Sequence, residues 1–346
     1  MAGLAQLRLS MSMTIVLVGA IFAIFLLAIM YLLQISWIYA LIGTLIFMFL
    51  QYLIGPEIVK FSTRLRYLRK EENPWLESTV KELSEKDNIS TPKLAIVPDR
   101  TPNAFVFGKS SKDTTLAVHE GLLMELNQEE IRGVIGHELG HIKHKDFLVM
   151  TILSALPLLA YLIARASFEA VRFGGVRTRR RKDEGGVGIA LMFAAAISYV
   201  VYIISLLCVM KLSRLREHYA DAYSAYLVGS PRPLESALTK IAYGLSLSPS
   251  PPHGARTLYI SDPALAKEEC RGIIQRESSY DLDKDGVLDE KELELAMEAE
   301  AKDTWTRLNV AFVTHPPTYQ RILLLREIEN EMRTGQYSSK RIYTYI

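Results

Sequence analysis

From Leu9 to Pro56 the chain carries no charged residue. A stretch of that length does not suit the surface of a soluble domain, and about 20 apolar residues are enough to cross the hydrocarbon core of a bilayer. It divides at Gln34-Ile35-Ser36 into two expected spans, Met13–Leu33 and Trp37–Ile54. The first is too long for a signal-peptide core and no clear cleavage site follows, so it reads as an anchor that stays. Phe147–Ala164 and Val187–Met210 are two further charge-free stretches of spanning length. The bland reading of this second pair is two helices buried in a soluble core.

The charge balance excludes one class of partner. Lys plus Arg number 40 against 38 Asp plus Glu, so there is no basic excess to attract nucleic acid. Cys208 and Cys270 have no C-x-x-C neighbours and cannot build a disulfide framework. The polar segment after the second span reads as a helix at Val80–Lys86 and short strands at Pro92–Pro98, Ala104–Phe107 and Thr115–Val118. A helix then starts near Gln128 and runs without a breaker through Lys145 into the third span. The fourth span leads into a helix over Lys211–Val228, which stops at Gly229-Ser230-Pro231.

Basic residues near the span ends set the orientation. Arg8, Lys60, Arg64, Arg66, Arg69, Lys70, Lys143, Lys145, Lys211, Arg214 and Arg216 lie on one side. Arg165, Arg172, Arg177, Arg179, Arg180, Arg181 and Lys182 lie on the other. Eleven against seven places the polar segments in the cytosol, with the run Arg177–Lys182 opposing that assignment.

The chemistry concentrates at His137-Glu138-Leu139-Gly140-His141. Residues four apart share a helix face, so both imidazoles reach one metal ion, and Glu138 is placed as general base for a water on it. Gly136 and Gly140 would leave room beside metal and substrate. A catalytic zinc needs a third protein ligand. His144 is about 10 Å along the helix from His137, His119 precedes the helix, and His253 lies in a Pro-rich loop. The helical hairpin of spans three and four returns the chain to the same side just before Glu217, which makes Glu217 the expected third ligand. Asp221, one turn later, is placed to accept the second N–H of a ligating histidine, whereas His218 points away and reads as structural.

These residues carry a resemblance. His137–His141, Ser213-Arg214-Leu215-Arg216-Glu217-His218-Tyr219-Ala220-Asp221 and Thr314-His315-Pro316-Pro317 are similar to the signatures of the HtpX-like membrane zinc metallopeptidases. Asn103-Ala104-Phe105 resembles that family's segment ahead of the zinc helix. The resemblance covers roughly residues 10–245 and 305–326 and includes the four-span layout. It implies an endopeptidase in or beside the cell membrane that acts on polypeptides, misfolded membrane proteins above all. It implies zinc on His137, His141 and Glu217, and Glu138 as base. It also implies Asn103, Ala104 and Phe105 in an edge strand that pairs with extended substrate, and His315 beside the reacting carbonyl. In the matching pattern THPPTYQR, Arg321 reads as a structural ion-pair partner.

One segment departs from the family. Asp281–Glu292, DLDKDGVLDEKE, has the oxygen positions of a calcium loop: Asp281, Asp283, Asp285, the Val287 carbonyl, Asp289 and Glu292, with Gly286 at the sharp turn. Helical patterns flank it at Lys267–Ser278 and Glu290–Trp305. A structural Ca2+ site that fixes the approach of the His315 segment is the expectation.

The expected architecture is a mainly α membrane protein. It has four transmembrane helices, a gluzincin-type α+β zinc protease domain and a small EF-hand-like insertion. Residues 1–56 hold the first two spans and 57–146 the first part of the protease domain. Residues 147–210 hold the third and fourth spans, 211–261 the second protease part, 262–305 the insertion and 306–346 the last protease part. Two other readings stand beside it: a non-catalytic, calcium-responsive membrane scaffold, and a CAAX-type prenyl-protein processing protease. The intact Glu138 separates the scaffold from the enzymes, since a scaffold needs no base.

Overall fold

The computed structural model describes residues 2–33, 36–174, 185–247, 259–261, 263–275, 277–283, 292, 295–296 and 315–335. The described elements begin with α1 (Ala2–Leu33), α2 (Trp37–Thr63), β1 (Arg66–Tyr67), α3 (Pro74–Lys86), β2 (Lys93–Val97), β3 (Ala104–Ser110) and β4 (Asp113–His119). They continue with α4 (Glu120–Glu125), α5 (Gln128–His144), α6 (Asp146–Gly174) and α7 (Gly185–Val228). Last come α8 (Arg232–Leu247), α9 (Pro263–Gln275), α10 (Glu277–Tyr280) and α11 (Thr318–Arg333). The chain divides into two compact units, Arg8–Gly55 with Val149–Leu212 and Met1–Leu7 with Pro56–Leu148 and Ser213–Ile346.

The apolar unit contains the expected spans. Among the described residues four helices, over Ser12–Tyr31, Leu41–Thr63, Asp146–Arg172 and Gly188–Val228, are long and apolar enough to cross a membrane. Val18, Phe22, Phe25 and Ile29 of α1 pack with Leu153, Leu156 and Ala160 of α6 and with Ala194, Val209 and Leu212 of α7. With no water to hydrogen-bond in lipid, polar side chains there seek protein partners. Gln51 of α2 donates from Nε2 to the Thr151 carbonyl and the Ser154 hydroxyl. Two boundaries differ from the sequence reading. α2 runs through Pro56 to Thr63, and the fourth span and the helix after it are one continuous α7.

A third difference matters more. The helix from Gln128 does not run unbroken into the third span: Lys145 adopts φ 58°, ψ 38°, the left-handed conformation of a helix cap, and α6 begins at Asp146. A left-handed non-glycine residue costs roughly 1–2 kcal/mol. The break redirects the chain so that the Asp146 carboxylate meets His141 and Arg216, contacts that a continuous helix would place elsewhere.

In the polar unit a four-stranded sheet has the order β1-β2-β4-β3, with β2 and β4 parallel and the outer pairings antiparallel. One face is buried against α3 and α5 through Leu116 and Val118, with Leu76, Val80 and Leu83 on α3 and Ile131, Val134, Ile135 and Leu139 on α5. The other face packs Ala95, Val97, Phe105, Phe107 and Ala117 against Val59 and Leu65. Asn127 caps α5 in a capping box with Glu130. The buried Glu130 also accepts hydrogen bonds from Ser236 and Lys240, which ties the start of α5 to α8.

The α5 glycines serve packing. A Cβ on Gly136 would stand 2.8 Å from Ser224 Oγ and one on Gly140 would stand 3.1 Å from Ala220 Cα. Both positions therefore bring α7 close to α5, and they do not open a space for metal and substrate as the sequence alone suggested. Gly133 does the same for α8, where a Cβ would lie 2.7 Å from the Leu234 backbone nitrogen. Gly133→Ala should destabilise the protein by about 1–3 kcal/mol, because backbone must shift to admit the methyl. Thermal unfolding in detergent reads this, and an unchanged or raised midpoint would contradict it.

Candidate metal centre

α5 carries His137, Glu138 and His141, and α7 carries Glu217 and Asp221 on successive turns. The close approach of the two helices at Gly136 and Gly140 brings these side chains together. One ligand atom from each of His137, His141 and Glu217 lies within 4.8 Å of the others. The two Nε2 atoms face each other at 3.1 Å. His137 Nε2 is 3.5 Å from Glu217 Oε2, and His141 Nε2 is 3.6 Å from Glu217 Oε1.

Each histidine is turned by a carboxylate behind it. His137 Nδ1 lies 2.9 Å from Asp221 Oδ1, and His141 Nδ1 lies 2.7 Å from Asp146 Oδ2. An ionised carboxylate only accepts, so both Nδ1 atoms carry a proton, and with neutral rings both Nε2 atoms would direct a lone pair at Glu217. The carboxylates are themselves neutralised. Arg321 of α11 donates to both oxygens of Asp221, at 2.8 and 2.6 Å, and Arg216 donates to Asp146. Asp146 and Arg216 went unrecognised as site residues in the sequence reading.

This donor set fits a divalent cation. Two imidazole lone pairs and two carboxylate oxygens converge at short range, and Glu217 Oε2 is buried with no hydrogen bond of its own. Such an arrangement repels itself unless a proton or a cation sits among the four atoms. Burial opposes a proton on His137, but the Asp221 and Glu217 carboxylates outweigh it and push this histidine up to about 9. Two nitrogens and a carboxylate also form the three-ligand set of a catalytic zinc.

Around this group the remaining expected residues separate. Glu138 is buried next to the histidines, and burial raises its carboxyl against the pull of His141 and His137. His315 is buried with Nδ1 3.4 Å from Glu217 Oε2, and neither ring nitrogen makes a hydrogen bond. His144 Nδ1 meets the Gly140 carbonyl at 2.9 Å, and His119 Nδ1 meets the Thr101 carbonyl at 3.0 Å, so both point elsewhere. His253 lies outside the described residues.

Asn103, Ala104 and Phe105 stand at one end of β3, the edge strand, where no other strand pairs with the open side among the described residues. The three are not equivalent. Asn103 is fully buried, its Oδ1 accepts from the Ile260 N–H, and its carbonyl accepts from the His119 N–H. Antiparallel pairs alternate between bonded and unbonded positions. Phe105, in register with Ala117, therefore also bonds inward, while Ala104 and Val106 turn their backbone groups to the open edge.

Of the acidic loop, the carboxylates of Asp281, Asp283 and Glu292 approach within 4.8 Å of one another. Glu292 is buried and accepts from the Leu282 and Asp283 N–H groups. Asp285, Val287 and Asp289 lie outside the described residues, as does most of the helical pattern after them.

Comparison with known proteins adds to this geometry. The family model described as Peptidase family M48 matches residues 70–329. A "Protease HtpX homolog" of Thermococcus sibiricus is 33% identical over 298 residues, covering 85% of this chain and 87% of that protein. A "Protease HtpX homolog" of Methanothermobacter thermautotrophicus is 41% identical over 209 residues, or 60% of this chain and 74% of that protein. The solved structure titled "Crystal Structure of S. mikatae Ste24p" aligns with a TM-score of 0.49 at 16% identity, covering 91% of this chain and 63% of that one.

The carboxylate behind His141 generates a prediction. Asp146→Asn should weaken retention of a divalent metal by about 10–100-fold, since the imidazole loses a charged acceptor. Metal content after dialysis against buffered free zinc measures this; retention equal to wild type would contradict it.

Proposed function

This chain belongs to peptidase family M48, and we propose that it is a zinc-dependent endopeptidase of the membrane in which His137, His141 and Glu217 hold the metal. The observation that carries the reading is the convergence of two imidazole lone pairs and a carboxylate, each histidine turned from behind by its own carboxylate. When bound, zinc would polarise the scissile carbonyl and acidify the attacking water. Glu138 takes the proton from that water and passes it to the leaving amine. Burial raises the Glu138 carboxyl, which suits a group that must accept and then release a proton.

His315 stands against Glu217 with both ring nitrogens uncommitted, and in this reading it donates to the oxyanion that develops on the carbonyl. An extended substrate pairs with the open edge of β3 through the backbone of Ala104 and Val106, adding a strand to the sheet. Asn103 and Phe105 hold that edge in place from the inner side. Recognition through backbone suits unfolded polypeptides of varied sequence, and the four apolar helices favour membrane proteins that have lost their fold. The excess of basic residues on the side bearing Lys60 and Lys211 supports a cytosolic metal centre.

We also assign a structural Ca2+ to Asp281, Asp283 and Glu292, completed by Asp285, the Val287 carbonyl and Asp289. The spacing of these positions and the approach of the three described carboxylates support it.

Two measurements test these assignments. Glu138→Ala should retain zinc yet lose unfolded-casein cleavage by at least about 1000-fold, and substantial residual cleavage would remove Glu138 from the role of base. Added Ca2+ should raise the thermal midpoint of the wild type and leave that of Glu292→Gln unmoved. An equal rise in both would exclude the loop as the binding site.

A further inference from the structure

Glu269 on α9 belongs to no motif of the metal centre, yet its carboxyl reaches the start of α11. Its Oε1 accepts from the Thr318 N–H at 2.8 Å, and its Oε2 is buried without a hydrogen bond. Thr318 is the first residue of α11, and the N-cap residue Pro317 offers no side-chain cap. The first N–H groups of a helix need an acceptor, and here a residue 49 positions away in sequence supplies one. Burial pushes this carboxyl up to about 7, with the Thr318 donors and Arg321 drawing it the other way. Glu269 is half-buried, and its carboxyl is aimed at the segment that carries His315 and Arg321.

The start of α11 is where two residues of the centre are anchored. His315 is joined to Thr318 only by Pro316 and Pro317, whose rings restrict φ. Arg321 is one turn into the helix and reaches both Asp221 oxygens and the Ile260 carbonyl. Both also meet Glu217 Oε2, His315 at 3.4 Å and Arg321 at 3.7 Å. A displacement of the helix start therefore moves His315 and Arg321 together relative to Glu217.

We propose that Glu269 is a positioning residue for peptide hydrolysis: by holding the Thr318 N–H it sets where His315 and Arg321 stand against Glu217. The inference rests on the zinc endopeptidase reading and extends it to α9, the first helix of the segment that leads into the acidic loop. Acceptance of a hydrogen bond matters here and negative charge does not, so the amide of Gln should replace the carboxyl.

The test uses the full chain in detergent, with cleavage of unfolded casein and, independently of activity, the visible absorption of the Co2+-loaded protein. Glu269→Ala should lower kcat about tenfold or more with KM within about twofold, since small displacements at a reacting centre are expensive. Its cobalt spectrum should shift as the groups beside Glu217 move. Glu269→Gln should recover kcat to within about threefold and restore the wild-type spectrum. In a His315→Ala background, Glu269→Ala should cost clearly less than it does in the wild type, because part of its effect runs through His315. Wild-type kcat and spectrum in Glu269→Ala would overturn the proposal, as would a Gln variant as slow as Ala, or losses that multiply. If Glu269→Ala does not fold, Glu269→Asp, which withdraws the acceptor by one methylene, decides through the same two readouts. Absence of metal-dependent cleavage in the wild type would instead sink the protease reading, and the cobalt comparison would still decide whether Glu269 positions the centre.

Discussion

Two arginines make the centre possible. Asp146 and Asp221 are both buried behind the converging histidines His141 and His137, and an isolated buried carboxylate would cost several kcal/mol. Arg216 pairs with the first and Arg321 with the second. Removing one partner from such a pair typically costs about 3–5 kcal/mol, so the pairs must form together with the packing that buries them. That couples four pieces of chain: the break at Lys145, the turn of α7 holding Arg216 and Glu217, its next turn with Asp221, and the first turn of α11. The geometry at His137 and His141 is the outcome of their mutual compensation.

Backbone closeness is the second requirement. The histidines sit on α5 and Glu217 on α7, and side chains of this length meet with short contacts only when the helices nearly touch. Gly136 and Gly140 allow that approach, with Ser224, Ala220, Tyr223 and Val228 filling what a β-carbon would occupy. Ser224 also donates to the Gly133 carbonyl at 2.7 Å, which pins the register of the two helices. The histidine-bearing edge of α5 and its packing edge are thus adjacent stripes of one short helix.

Much of this was legible one residue at a time. Absence of charge marked the spans, because lipid tolerates no unpaired ionised side chain. The four-residue spacing of His137 and His141, and of Glu217 and Asp221, placed each pair on one helical face. Other features were hidden for physical reasons. Asp146 is five residues from His141, an offset that no helix face brings together, and only the left-handed Lys145 turns it back. The glycines of α5 looked like open space because a sequence does not say which neighbour fills it. Asn103, Ala104 and Phe105 looked alike as one edge strand, while strand alternation and the Ile260 contact give Asn103 inward bonds that its neighbour Ala104 does not share. Glu269 carried no signal, since its partner is a backbone N–H in a distant segment.

By itself, then, the sequence determined the apolar spans, the zinc-type ligand spacing and the family to which the chain belongs, because each is written in local periodicity or in motifs of contiguous residues. Only the tertiary structure decided which carboxylate stands behind which histidine, which arginine neutralises it, and which strand positions face outward. Those choices depend on the direction in which side chains leave elements far apart in sequence. Such directions exist only once α5, α7 and α11 have packed and their buried charges have found partners.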